Sequence, residues 1–300
     1  MTSNPRVVSL VPAATEILRF LGVEPVGVSH CCEARGAPVL TRSVIPDGLD
    51  QARIDTLVSE TRAKGESLYR VDESALRALK PDLILTQGVC EVCAVSPHEV
   101  ERVSSTLPAA VPTLLVNGTH LNDLFFDLEN VTAALGVPSD ARIQGLQDRL
   151  AAVSAAVAGR DQPRVVVVEW LEPPFLAGHW VPDMLAAAGA VALGADAGEP
   201  SPRVTWDDIA RLEPDVILYS FCGYNLAQTL RDLERFPPKM GAERMWALDS
   251  RYFCALTPFV VRGVEILAGL LHPEGWPAPT MLEGQALWEQ LASEKRVRDS

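Results

Sequence analysis

Leu79-Lys80-Pro81-Asp82-Leu83-Ile84-Leu85 and Leu212-Glu213-Pro214-Asp215-Val216-Ile217-Leu218 are two versions of one phrase. Each reads as a helix end, a Pro-Asp turn and a short apolar strand, because proline stops a helix and a short apolar run suits a buried strand. Each strand then enters a polar loop that carries a cysteine, Cys90 in the first copy and Cys222 in the second. A second pair keeps the same order: Pro5-Arg6-Val7-Val8 and Pro163-Arg164-Val165-Val166. Distant segments repeated in one order predict two lobes of similar design.

Working outward, each lobe alternates strands and helices. The first is read as strand 6–10, helix 13–21, strand 25–29, helix 72–79, strand 82–86, helix 97–106 and strand 112–116. The second is read as strand 164–169, helices 181–188 and 205–211, strand 215–219, helix 226–234, strand 244–248 and helix 258–271. The expected fold class is α/β, with two Rossmann-like lobes whose parallel sheets carry helices on both faces. Between them Leu121, Leu124, Phe125, Leu128, Val131 and Leu135 follow helical spacing. Gly136-Val137-Pro138 breaks that helix, and Ser139 is placed to cap a second one, with Ile143, Leu146, Leu150, Val153 and Val157 on one stripe and Gly159 at its end. A helix of about 20 residues is about 30 Å long, a rigid backbone helix rather than a loose linker. The expected division is an α/β lobe at 1–120, a helical connector at 121–160 and a second α/β lobe at 161–300. Such an arrangement leaves an interlobe cleft at the carboxyl ends of the strands, where ligands usually sit.

Composition narrows the function. The 300 residues carry 26 Lys plus Arg and 39 Asp plus Glu, a net charge of −13, with 48% hydrophobic residues. That is a globular composition, and its acidity sets aside nucleic acid and anionic membranes as partners. The longest uncharged, mostly apolar run, between Asp183 and Asp196, is too short to span a bilayer, so no membrane insertion is expected. No basic start or long apolar run opens the chain, so as written it is expected in the cytoplasm; it would be periplasmic only if a leader had been removed. Six cysteines in 300 residues are too few for a disulfide scaffold.

The loops after the strands hold the candidate site. In the first lobe they supply Pro12, Ala13 and Ala14 at a helix start, then His30, Cys31 and Cys32, then Gln87, Cys90, Glu91 and Cys93. In the second they supply Glu169, Trp170, Phe175, His179, Trp180, Cys222, Tyr224, Tyr252, Phe253 and Cys254. The aromatic side chains suit a flat, largely apolar ligand, and the amides of the helix beginning at Pro12 suit an anionic or amide group. Cys90 and Cys93 are spaced to share one soft metal ion or to form a redox pair, and with Cys32 and Cys222 they make a candidate metal set for zinc or an iron–sulfur cluster. The signatures GxxxxGK[ST], GxGxxG, HExxH and GxSxG are missing, and nothing pairs a general acid with a base, so a binding protein rather than an enzyme is expected.

These residues also carry a resemblance. Ser9-Leu10-Val11-Pro12-Ala13-Ala14-Thr15-Glu16, with Leu21-Gly22 and Val26-Gly27-Val28-Ser29, resembles the opening of helical-backbone (class III) periplasmic-type substrate-binding proteins. These serve ABC importers of vitamin B12, haem and iron-siderophores. Leu79-Lys80-Pro81-Asp82-Leu83-Ile84 is similar to the family's second hallmark, and Pro173-Pro174-Phe175, Gly178 and the region of Trp206 are most similar to its cobalamin-binding branch. The resemblance implies a corrinoid such as cobalamin held by apolar and aromatic contacts, with Pro12 to Ala14 and Trp170 to Phe175 touching it. Two features depart from the transport proteins: no exporting leader is visible, which sets the chain against an ABC-type permease partner, and the cysteines at 32, 90, 93 and 222 look like those of a leaderless cysteine-containing subgroup. Two readings therefore stand: corrinoid or related metal-containing ligand binding, or a cytoplasmic metal or iron–sulfur protein, conceivably an enzyme, with a cysteine-rich interlobe site.

Overall fold

A computed structural model describes residues 5–89, 100, 103, 111–237, 242–282 and 284–291. The helix expected at 97–106 therefore lies almost wholly outside the described residues, as do Cys90, Glu91, Cys93 and His98. The chain divides into two compact units, residues 1–118 with 122–143, and residues 119–121 with 144–300.

The first unit is built on a four-stranded sheet in the order β2-β1-β5-β6, with β1 at Val7–Ser9, β2 at Gly27–Val28, β5 at Leu83–Thr86 and β6 at Thr113–Leu115. All three pairings are parallel. Helices Pro12–Phe20, Glu73–Leu79 and Asp123–Leu135 connect or flank these strands. One stretch was not read from the sequence: β3 (Thr41–Ser43) pairs antiparallel with β4 (Tyr69–Val71), and helix Gln51–Ala63 lies between them in the chain. That helix buries only Gln51 and Val58, so its apolar periodicity is faint. Its start is set by Asp50, whose side chain accepts the Arg53 N–H at 2.9 Å.

The second unit carries a six-stranded sheet, β14-β11-β10-β7-β8 with β9 also on β7. The strands are β7 at Arg164–Leu171, β8 at Pro174–Leu176, β9 at Val191–Ala192, β10 at Val216–Tyr219, β11 at Arg244–Leu248 and β14 at Trp288–Gln290, while β12 (Met281–Leu282) and β13 (Gln285–Ala286) form a separate antiparallel pair. The expectation of a purely parallel sheet needs correction here: β8 and β14 run antiparallel to their neighbours. The tight turn at Glu172-Pro173 returns the chain directly beside β7, which only an antiparallel strand permits. Pro174 opens β8 at its first position, where a missing N–H is tolerated.

The internal repeat is realised atom by atom. In the first unit Arg6 N–H donates to Asp82 Oδ2 at 2.8 Å and Arg6 Nε donates to the Leu79 carbonyl at 2.8 Å. In the second, Arg164 N–H donates to Asp215 Oδ2 at 2.8 Å and the Arg164 guanidinium donates to the Leu212 carbonyl at 2.7 Å. Lys80 and Glu213 take the same left-handed turn, with φ of 45° and 48°. The strands that follow pair in the same register, Val8 with Ile84 and Val166 with Ile217. Each Pro-Asp turn thus ends a helix and clasps the start of the unit's first strand.

The connector is helical over Asp123–Leu135 and Asp140–Val157. Gly136, with φ of 64°, ends the first helix in the left-handed conformation. Ser139 sends its hydroxyl to within 2.9 Å of Thr132 Oγ1, while its carbonyl accepts the Ile143 N–H at 3.0 Å. The expected stripe is buried at Ile143, Leu146, Val153 and Val157.

Candidate functional site

In the first unit, the loops after β1, β2 and β5 leave from the carboxyl edge of one parallel sheet and bring Pro12, His30, Cys32 and Gln87 to that edge. Ala13 and Ala14 are buried under the helix they begin, leaving Pro12 as the half-buried member of that trio. Thr15 Oγ1 lies 2.7 Å from Ser9 Oγ and 3.1 Å from Cys32 Sγ, which anchors the second cysteine of the pair. Burial pushes the Cys32 thiol up, so it stays protonated and behaves as a packed group. Cys31 is exposed, with its sulfur 3.3 Å from His30 Nε2. Thr41 Oγ1 accepts the His30 N–H at 3.0 Å and contacts His30 Nδ1 at 2.7 Å, so a buried hydroxyl holds the ring in place. Burial lowers the His30 pKa and favours its neutral form. Glu16 pairs with Arg19 at 3.3 Å. Gly88 N–H donates to Asn117 Oδ1 at 2.6 Å, which joins the loops after β5 and β6 beside Gln87.

In the second unit the carboxyl edge carries an aromatic wall. Trp170 and Phe175 face each other across the β7–β8 pairing and so share one face of the hairpin. The Trp170 ring meets Tyr224 edge-on at 6.1 Å, and Tyr224 meets Phe221 at 6.0 Å. Trp170, Phe175 and Tyr224 are half-buried, with area to offer, whereas Phe221 is part of the core behind them. Trp180 is also half-buried, with Nε1 donating to the Phe253 carbonyl at 2.7 Å, and its ring lies 5.7 Å from His179. Gly178 is required here, since a Cβ would stand 2.5 Å from the Glu199 carbonyl oxygen. His179 follows with φ of 51°, its N–H donated to that same carbonyl at 2.7 Å. Burial lowers the His179 pKa, against the opposing charge of Cys222.

Tyr252 and Phe253 differ from expectation. They are only 2% and 1% exposed, and Tyr252 packs edge-on against Phe259 at 5.9 Å. Buried to this degree, they have no face to stack on a ligand. Glu169 is half-buried, and its carbonyl accepts the Cys222 N–H at 3.2 Å. A cavity in this unit lies elsewhere, lined by Arg160, Asp161, Asp215, Arg244, His272 and Glu274. It sits at the amino ends of β7, β10 and β11, and its charged lining suits no apolar ring.

The cysteine set divides. Cys32 belongs to the first unit and Cys222 to the second, while Cys90 and Cys93 lie outside the described residues. Among the described residues no group of three or more His, Cys, Asp or Glu is arranged to hold a metal ion. What the sequence missed is the neighbour of Cys222: Cys254, whose sulfur donates to the Ser220 carbonyl at 3.6 Å and whose thiol Cys222 pushes up. No local signal links residues 32 positions apart on different loops.

No family model matches the chain. Among curated proteins it is similar to the vitamin B12-binding protein of Salmonella choleraesuis (strain SC-B67), 24% identical over 274 residues, or 89% of this chain and 90% of that protein. The vitamin B12-binding protein of Salmonella typhimurium is similar to the same degree. Among solved structures, a periplasmic heme binding protein from Pseudomonas aeruginosa aligns with a TM-score of 0.67 at 18% identity, covering 96% of this chain and 98% of that one. The periplasmic vitamin B12 binding protein of Vibrio cholerae aligns with a TM-score of 0.62 at 19% identity, covering 89% and 96%. The chain has the fold of the class III substrate-binding proteins. The two-lobed α/β expectation therefore stands, and within that fold the sequence likeness is to the vitamin B12-binding branch. These class III relatives are named for binding, none for catalysis, and several are described as periplasmic, which gives the cytoplasmic expectation no support. No helix among the described residues is long and apolar enough to cross a membrane.

Proposed function

We propose that this protein binds a corrinoid, or a related tetrapyrrole, and presents it to an ABC-type permease. The observation that carries this reading is the half-buried aromatic wall Trp170–Phe175–Tyr224 in a chain whose sequence likeness runs to vitamin B12-binding proteins over 89% of its length. A macrocycle of this kind offers a broad apolar face, and aromatic edges and faces are the groups that recognise it without a formal charge. His179 and Glu169 are the polar candidates beside that wall, and in the first unit His30, Gln87 and the amides at the start of the helix that Pro12 opens are the polar candidates. The heme-binding structures that share the fold keep heme as the competing ligand. A periplasmic working place, as in several of the relatives, fits this role.

Isothermal titration with cyanocobalamin and with hemin, each on the full chain, tests the reading. Saturable one-to-one binding of cobalamin supports it, binding of hemin alone moves the ligand to the heme class, and no heat with either overturns it. The zinc or iron–sulfur alternative is not favoured: none of the relatives named above is described as such a protein.

A further inference from the structure

Cys222 and Cys254 lie on the loops that follow the neighbouring strands β10 and β11. Backbone bonds tie those loops together: Ser250 N–H donates to the Tyr224 carbonyl at 3.2 Å, and Leu226 N–H donates to Asp249 Oδ2 at 3.4 Å. Cys254 is fastened from both sides. Its N–H donates to the Ser250 carbonyl at 2.9 Å, and its sulfur donates to the Ser220 carbonyl at 3.6 Å and lies 3.9 Å from Ser220 Oγ. The thiol is thereby held at Ser220, two residues from Cys222 in the chain, and near enough to Cys222 for that cysteine to push it up. Two cysteines on cross-tied loops, with the sulfur of one fastened two residues from the other, are placed for a bond that sequence spacing alone would not suggest.

We infer that Cys222 and Cys254 form a reversible dithiol–disulfide pair that exchanges with disulfides of small molecules or proteins. Cys222 is the attacking sulfur. The neighbouring Cys222 and then burial push the Cys254 thiol well up, so Cys254 keeps its proton at first and acts second. In the first step the Cys222 thiolate, its proton lost to solvent, bonds to one sulfur of the incoming disulfide, whose other sulfur leaves as a thiolate. In the second step Cys254 loses its proton to solvent and attacks Cys222 Sγ, breaking the mixed disulfide and releasing the second partner thiolate. The pair is oxidised by two electrons, the incoming disulfide is reduced to two thiols, and the released thiolates take up the two protons. Closing the bond clamps the loop carrying Tyr224 to the segment carrying Phe253.

The test uses the full chain and oxidised glutathione as the probe, with alkylation of remaining thiols and peptide mapping by mass spectrometry. The expected product joins the Cys222 peptide to the Cys254 peptide and is undone by dithiothreitol. Cys254→Ser is expected to stop at a glutathione adduct on Cys222, and Cys222→Ser to leave Cys254 as a thiol. The inference is overturned if both cysteines are alkylated equally before and after oxidation, or if either one links instead to Cys31, Cys32, Cys90 or Cys93. Mapping of the unaltered chain decides the matter even where a variant fails to fold. No corrinoid enters the assay, so its failure leaves the binding reading standing.

Discussion

Trp170 and Tyr252 are both aromatic residues at the end of a strand or the turn after it, yet they do different work. Trp170 is half-buried and meets Tyr224 at 6.1 Å, while Tyr252 is 2% exposed and fills space against Phe259. Trp170→Ala is therefore expected to weaken cobalamin binding by roughly tenfold, about 1.4 kcal/mol, with little change in the unfolding midpoint, as read by calorimetric titration beside denaturant melting. Asp127 makes a pH argument at the same scale. Burial pushes its carboxyl up to about 6, against the N–H donated by Gly118 at 3.2 Å. The folded chain holds a proton that the unfolded chain releases near an ordinary value of about 3.9, so the contribution is complete below that value and is lost as pH rises through about 6. Asp127→Asn keeps an acceptor oxygen and should raise stability at pH 8 by on the order of 1–2 kcal/mol relative to the unaltered chain, with little gain at pH 3.5. Urea melts at the two pH values check this.

Helix Phe259–Leu271 shows what one charged residue does for an element. Almost every residue from Val260 to Leu271 is buried, and Glu265 is the carboxylate among them. It accepts two bonds from Arg149, at 2.8 and 2.9 Å, and one from Arg262 at 3.0 Å, which fastens this helix to Asp140–Val157. Burial alone would push Glu265 up; the arginine bonds outweigh it and hold the carboxyl below its ordinary value. A lowered folded value stabilises above the unfolded value and is lost as pH falls through the folded one. Arg149 is 42% exposed, so solvent screens part of the attraction. Glu265→Gln should cost about 1–3 kcal/mol at pH 7 and flatten the loss of stability below about pH 4.5, measured as midpoints along an acid series. Elements like this one were legible in the chain, since their apolar run and proline start are local. The hairpin β7–β8 was not, because Pro173 and Pro174 read as loop and its strand exists by pairing with β7. Helix Gln51–Ala63 was missed for the opposite reason: it buries so little that no stripe shows.

At the scale of the molecule, a net charge of −13 points away from polyanionic partners. Cobalamin at 100 times its Kd should stabilise the chain by about 2.7 kcal/mol, several degrees in Tm for a protein of this size. Absence of any shift with cobalamin, beside a clear one with hemin, would reassign the ligand. Read along the chain, the Pro-Arg and Pro-Asp repeats were enough for two α/β units, because each half of a clasp is a motif of a few residues next to its strand, although the halves that meet lie 76 and 51 positions apart. The roles of individual loop residues were beyond that reading. Whether an aromatic ring is wall or core, and whether Cys222 meets Cys90 or Cys254, depends on packing between segments far apart in sequence. Burial and long-range contact are properties of the folded chain, with no counterpart in local spacing.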